Sequence, residues 1–298
     1  MPTNVRPRRS VLFMPGSNAR AAEKARSLPA DVVILDLEDA CAVAEKEATR
    51  PVVVEALSRP RPCLGYVRIN ALGTEFAYGD LQAVVQAGVD GIILPKVERP
   101  DDLRTADWLV SQLERERGLA AGSIDIIPIL ESGAGFAALD AIVRSGTRVR
   151  RLAFGAGDFT LDMGLTWTRD ELELLHHRSA IVLASRAAGL EPPIDTVWVS
   201  LKDQDGFRDS AMRARMLGFQ GKLCIHPDQV AVTNAAFTPT EAEATKARRV
   251  IDAFAEAEAK GSSSFQIDGQ FVDYPILYQA QRVLAALAAI EARPTARV

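Results

Sequence analysis

Eight short apolar runs, dominated by Val, Ile and Leu, recur along the chain at 10–14, 31–37, 66–69, 91–94, 124–130, 149–154, 194–201 and 222–225. Their average spacing is about 30 residues, the length of a βαβ unit. Segments with helical spacing and charged faces lie between them, clearest at 19–27, 76–86, 101–117 and 169–188. The runs are apolar at consecutive rather than alternate positions, as strands buried on both faces must be, and that is the signature of a parallel sheet covered by helices. Eight such units close a (β/α)₈ barrel, so the expected class is α/β, a TIM barrel with a C-terminal helical and hairpin extension. An open, doubly wound sheet competes with it. That alternative lacks its dinucleotide fingerprint, because Gly133 and Gly135 have the right opening spacing but Ala138 stands where the last glycine belongs.

The repeat stops after Pro227, which divides the chain into an expected barrel at 1–235 and an extension at 236–298. The extension reads as a long Ala/Glu/Lys-rich helix at 240–260, a flexible Gly261-Ser262-Ser263-Ser264 joint, a hairpin at 265–273 and a final helix at 275–291. Asp268-Gly269 is the dipeptide preferred in a two-residue hairpin turn. Such a hairpin has little core of its own and must pack on something else, in this chain or in a second copy, where it could act as a lid.

Composition narrows the function. A net charge of -4 leaves no basic field to draw the chain onto a phosphate backbone, which argues against nucleic acid as the main partner. Cys41, Cys63 and Cys224 form no C-x-x-C pair, and three histidines give little material for zinc, so a reducing cytoplasm is the expected setting. Arg8-Arg9 superficially resembles the start of an export signal, but the apolar run after it is only Val11 to Met14. No apolar stretch approaches the roughly 18 residues of a membrane span.

Barrels of this kind build their active sites at the C-terminal ends of the strands. There the sequence puts Glu38 and Asp39 after the second run, Arg68 and Asn70 at the third, Lys96 after the fourth, Glu131 after the fifth, Asp158 after the sixth and His226 after the eighth. Glu131 and Asp158, from adjacent strand ends, are a carboxylate pair suited to Mg²⁺, a hard cation that keeps several waters. Glu38 and Asp39 would accept hydrogen bonds from metal-bound water or, alternatively, cap the following helix. Arg68 has the planar fork that matches a carboxylate. The turn Gly155-Ala156-Gly157 lets backbone N–H groups approach an anionic ligand. Lys96 suits a Schiff base if burial strips its charge, and a structural ion pair if neighbouring carboxylates keep it protonated. His226 reads either as a general base or as the cap of a turn before Pro227, and His176 and His177 as helix packing residues.

In order, the segments Arg9 to Ser17, Leu35 to Ala40, Val67 to Asn70, Leu94 to Lys96, Ile129 to Ser132, Phe154 to Asp158 and Cys224 to Pro227 resemble the motifs of the citrate lyase β-subunit-like, or CitE-like, family of the HpcH/HpaI aldolase superfamily. That family includes malyl-CoA, methylmalyl-CoA and citramalyl-CoA lyases. The resemblance covers nearly the whole chain and implies a Mg²⁺-dependent, Claisen-type cleavage of a 3-hydroxy-acyl-CoA into a 2-oxo acid and an acyl-CoA. It implies Glu131 and Asp158 as metal ligands, Arg68 on a substrate oxygen and Gly157 at the substrate. Phe13, Arg20, Lys24, Ile225 and His226 are implied at the CoA site. Asp273 is implied to come from a neighbouring subunit to complete a catalytic set with Asp39 and Arg68, in a homotrimer or hexamer. Two other members of the superfamily remain as alternatives: a citrate lyase β subunit working on a carrier-bound thioester, and a Mg²⁺-dependent 2-oxo-acid aldolase.

Overall fold

The computed structural model describes residues 6–18, 24 and 27–292. The helix expected at 19–27 falls almost wholly outside them, and Arg20 with it. Eight parallel strands close a barrel in sequence order: β1 (Ser10–Pro15), β2 (Val32–Asp36), β3 (Leu64–Arg68), β4 (Gly91–Leu94), β5 (Asp125–Leu130), β6 (Ala153–Phe154), β7 (Ile194–Asp195) and β8 (Gly221–Cys224). Closure is made by Ser10 pairing with Lys222 and Leu12 with Cys224. The expected (β/α)₈ barrel is therefore the fold. Around the strands lie α1 (Lys46–Ser58), α2 (Ala77–Val84), α3 (Pro100–Glu116), α4 (Gly133–Ala137), α5 (Leu139–Val143), α6 (Ala156–Asp162), α7 (Leu175–Ala187), α8 (Gln204–Leu217) and α9 (Asp228–Phe237).

Val11, Ile34, Tyr66, Ile93, Ile127 and Leu223 belong to the barrel's interior cluster, where branched side chains fill the lumen. The N-terminal end of the barrel is closed by charge. Arg151 is fully buried there, ion-paired to Asp125 and, at 2.7 Å, to Glu191, while the Tyr66 hydroxyl donates to Asp125 at 2.6 Å.

Three elements are shorter than the apolar pattern predicts. Strand β6 begins only at Ala153; before it the carbonyls of Arg150 and Leu152 accept from the Glu191 and Ile194 N–H groups, and the Arg151 side chain is held in its ion pairs. Strand β7 ends at Asp195, and just past it the Thr196 hydroxyl accepts the Ala156 N–H at 2.8 Å. The helix expected from 169 starts at Leu175, because Glu171 is left-handed, with φ 53°, and a left-handed residue does not propagate an α-helix. Glu171 instead accepts from Arg178, Arg213 and Ser210.

The segment from Ala236 forms a second compact unit. It holds α10 (Glu241–Ala259), opened by a Thr240/Glu243 capping box, then β9 (Phe265–Ile267), β10 (Gln270–Val272) and α11 (Tyr274–Glu291). The hairpin is antiparallel, and Asp268 and Gly269 take φ values of 51° and 75°, the two left-handed residues of a type I′ turn. Val250, Phe254, Val272 and Ala280 form the unit's core. Among the described residues no helix is long and apolar enough to cross a membrane, and all three cysteines are buried and outside any disulfide.

Candidate active site

At the C-terminal mouth of the barrel lies a cavity of about 370 Å³. Asp36, Asp39, Arg68, Glu131 and Asp158 give it a polar wall; Phe13, Ile129, Val197, Leu223 and Ile225 give it an apolar one. Glycines 155 and 157 and Thr196 line the space between. A larger depression of about 620 Å³ lies within the C-terminal unit. Its charges are exposed and satisfied, as in the 2.7 Å pair of Arg249 with Asp268, so it lacks the convergent buried polar groups of a reaction site.

Glu131 directly follows β5 and is buried. Its Oε1 accepts the backbone N–H of Lys96 at 2.7 Å. Burial, abetted by the nearby charges of Asp158 and Glu38, pushes its carboxyl up to about 8. Space for it depends on Gly155, since a Cβ there would lie 2.5 Å from Glu131 Oε2. Asp158 sits in the first turn of α6, whose start is fixed by the Thr196–Ala156 hydrogen bond.

Arg68 ends β3 over the Phe13 ring, 4.9 Å from its centroid. Asp36 grips it with both oxygens, at 2.7 Å to Nε and 2.5 Å to Nη2. Its Nη1 faces Glu38 at 2.9 Å and Asp39 at 3.3 Å. Burial opposes its charge, but Asp36 and Glu38 outweigh it and hold the guanidinium protonated. The fork expected to be open to a carboxylate is thus engaged by acidic side chains: Asp36 takes Nε and one Nη2 hydrogen, and Nη1 faces Glu38 and Asp39, which leaves the second Nη2 hydrogen for a further acceptor. Glu38 is raised by burial despite Arg68 and a 3.1 Å pair with Lys96. Neither of its oxygens makes a well-aligned hydrogen bond, so both keep lone pairs for a further donor.

Lys96 is half-exposed, and its pairing with Glu38 outweighs burial and raises its pKa, which fits the ion pair and not the Schiff base. His226 accepts the Asp228 N–H at 3.3 Å, the turn-capping arrangement, while Ile225 N–H is held by Gln229 at 2.8 Å. Lys24 is exposed, and Arg20 lies outside the described residues. His177 packs against Phe136 and Phe159. Asp273 belongs to the C-terminal unit, where its side chain caps α11 through the Ile276 N–H at 3.4 Å.

Three positioning groups carry no signal of their own in the sequence. Asp36 sits inside an apolar run, yet it orients Arg68 and also accepts the N–H groups of Glu38 and Ala40. Lys46 is buried and ties the β2 loop to β3 by donating to Leu37 O, Glu38 O and Asn70 Oδ1. Thr196 fixes α6. Only the anomaly of a charged residue at a predicted buried position, available for Asp36, hints at any of them.

The residues present fit a Mg²⁺ ion. Among the described residues no three His, Cys, Asp or Glu side chains converge as a complete cage. Mg²⁺ needs none, since one or two carboxylates plus waters are its usual protein ligands. Glu131 and Asp158 supply two, and the free lone pairs of Glu38 supply acceptors for coordinated water.

A closed parallel barrel with a carboxylate pair, an arginine and an apolar wall at its C-terminal mouth defines an enzyme-type (β/α)₈ site for a small anionic ligand. Comparison with known proteins makes this specific: the chain belongs to the HpcH/HpaI aldolase/citrate lyase family, which matches residues 9–227. It is 38% identical over 287 residues to the citrate lyase subunit beta of Leuconostoc mesenteroides subsp. cremoris, covering 94% of this chain and 93% of that one. It is 36% identical over 302 residues to the L-malyl-CoA/beta-methylmalyl-CoA lyase of Cereibacter sphaeroides, covering 94% of each. Among solved structures it resembles protein CitE from Mycobacterium tuberculosis in complex with magnesium, acetoacetate and coenzyme A, with a TM-score of 0.77, 30% identity, and 95% and 98% of the two chains covered.

Proposed function

We propose that this protein is a Mg²⁺-dependent carbon–carbon lyase that cleaves, or in reverse forms, a 3-hydroxy-acyl-CoA such as malyl-CoA or citramalyl-CoA, giving a 2-oxo acid and acetyl-CoA or a related acyl-CoA. The observation that carries the reading is the buried Glu131 beside Asp158 in a cavity that also presents Arg68. A carboxylate so costly to ionise is matched to a cation, and among the described residues it makes no ion pair within 4 Å. The relation to a malyl-CoA lyase and to a CitE structure holding magnesium and coenzyme A supports the choice of metal and substrate class.

Glu131 and Asp158 hold the ion, and Glu38 and Asp39 take hydrogen bonds from its waters. When bound, Mg²⁺ supplies polarisation of the 2-oxo group and neutralises charge that develops on its oxygen. Arg68 offers its second Nη2 hydrogen to a substrate oxygen and is kept charged and oriented by Asp36. Cleavage takes the proton from the 3-hydroxyl, whose oxygen forms the C=O of the 2-oxo acid as the bond between C2 and C3 of the acyl group breaks; the electron pair of that bond is left on the acyl-CoA as an enolate, which must gain a proton at its α-carbon, and condensation removes that proton and returns one to the new hydroxyl. Asp273, delivered by the C-terminal segment of a neighbouring subunit, is assigned to that transfer, with Asp39 as the second acidic group of the catalytic set. Phe13, Ile225, His226, Arg20 and Lys24 are assigned to the CoA moiety, with the two basic side chains toward its phosphates. The assembly is accordingly a homotrimer or a hexamer, and the setting cytoplasmic.

A coupled assay with malyl-, methylmalyl-, citramalyl- and citryl-CoA, with Mg²⁺ or excess EDTA, tests the proposal. Mg²⁺-dependent release of a 2-oxo acid is the expected result. Inactivity on the whole panel together with turnover of a carrier-bound citryl thioester would replace the reading with that of a citrate lyase β subunit, which the 38% identity to such a subunit favours as the second choice.

A further inference from the structure

We propose that Lys96 is a positioning residue that holds two carboxylates of the pocket simultaneously, by means of a backbone conformation that its residue type disfavours. The inference rests on the metal-site reading under Proposed function. Lys96 lies in the loop after β4 with φ 52°, one of three non-glycine residues with positive φ among those described. A residue with a Cβ adopts that conformation only when its surroundings compel it, and such residues concentrate at functional sites.

What the conformation achieves is visible in its two contacts. The Lys96 N–H points at Glu131 Oε1, 2.7 Å away, and the Lys96 ammonium reaches Glu38 Oε1 at 3.1 Å. Glu131 follows β5 and Glu38 follows β2, strands that are not neighbours in the barrel. One residue on the β4 loop therefore connects carboxylates from both sides of the mouth. The loop has little room to relax. Pro95 restricts the step before Lys96. Val97, the step after it, is buried, and its carbonyl oxygen lies 2.7 Å from where a Cβ on Gly135 would be.

The two contacts act oppositely on a divalent cation. The N–H fixes the carboxylate that ligates it, whereas the ammonium repels it. Removing the ammonium while retaining tolerance of the left-handed backbone should leave cation affinity unchanged or raise it. A β-branched residue, which resists that backbone, should draw the N–H away from Glu131 and lower it.

The test is direct titration of the metal-free protein with Mn²⁺, reading free ion by electron paramagnetic resonance, with no substrate present. Lys96→Gly and Lys96→Asn should bind as tightly as wild type or up to a few-fold tighter. Lys96→Val should bind about tenfold more weakly, in line with the cost of a left-handed residue; Lys96→Thr serves if the valine variant does not fold. Equal affinity in the Gly and β-branched variants would overturn the proposal, as would a parallel loss in all four, which would show that the ammonium and not the left-handed backbone serves the cation site. Failure of the underlying reading is distinct: wild type would bind no Mn²⁺ that Glu131→Ala abolishes, and that result removes the proposal with it.

Discussion

The position of Glu131 makes cation binding a proton exchange. With its carboxyl pushed up to about 8 by burial, the metal-free protein carries a proton there at neutral pH, and a cation that ligates Glu131 must displace it. Apparent affinity is then the intrinsic affinity divided by one plus the ratio of protonated to ionised carboxyl. Between about pH 6 and about pH 8 that divisor falls from roughly 100 to roughly 2, so affinity should rise about fiftyfold and then level off. At about pH 7 roughly 0.9 proton should be released for each ion bound. Isothermal titration calorimetry with Mg²⁺ in buffers of different ionisation enthalpy measures both quantities. The sign for stability is the reverse. A folded-state value raised above the ordinary 4.5 means the metal-free fold gains from this group at low pH and loses that contribution as pH climbs from there through about 8. Mg²⁺ should therefore raise the melting temperature more at the alkaline end. Affinity that is flat from about pH 6 to 8, with no proton released, would refute the argument that the bound cation displaces a proton held on Glu131 by burial.

Three further outcomes follow from the same geometry. Gly155→Ala puts a methyl group 2.5 Å from Glu131 Oε2 and 2.8 Å from Ile129 Cγ2, so it should abolish Mg²⁺ binding or destabilise the fold by about 1–3 kcal/mol, as calorimetry and thermal melts will show. Thr196→Val leaves the buried Ala156 N–H without its acceptor, at a cost of about 1–3 kcal/mol; it should weaken Mg²⁺ binding through Asp158, and Thr196→Ser should restore it. Asp273→Asn should abolish turnover in the coupled assay while leaving Mg²⁺ affinity and thermal stability unchanged, because asparagine caps a helix as well as aspartate does; full activity would remove Asp273 from the catalytic set.

What is legible in the sequence divides along a physical line. The barrel is legible because burial on both faces leaves its mark in every strand, and Asp268-Gly269 is legible because few dipeptides satisfy two consecutive left-handed residues. Glu131, Asp158 and Arg68 stand out because each breaks an apolar run where a strand ends. The lengths of β6 and β7 are not legible, since Arg151 and Thr196 reveal their roles only once closure brings Glu191 and Ala156 beside them.

The supporting charges are hidden for the same reason. Asp36 and Lys46 are each half of a contact whose other half, Arg68 or Asn70, lies on a different β/α unit, and a single sequence does not say which units meet. In the folded protein those contacts have a direction. Asp36 occupies one edge of the Arg68 fork, Lys46 fixes the backbone of Glu38, and Lys96 spans from Glu38 to Glu131. Arg68 and Lys96 are ion-paired with Asp36, Glu38 and Asp39, and Arg68 reaches Glu131, as Lys96 reaches Asp158, only by longer-range attraction. Around the mouth Asp36, Glu38, Asp39 and Asp158 outnumber those two cations, so ionising the buried Glu131 as well adds a negative charge that a cation beside it offsets.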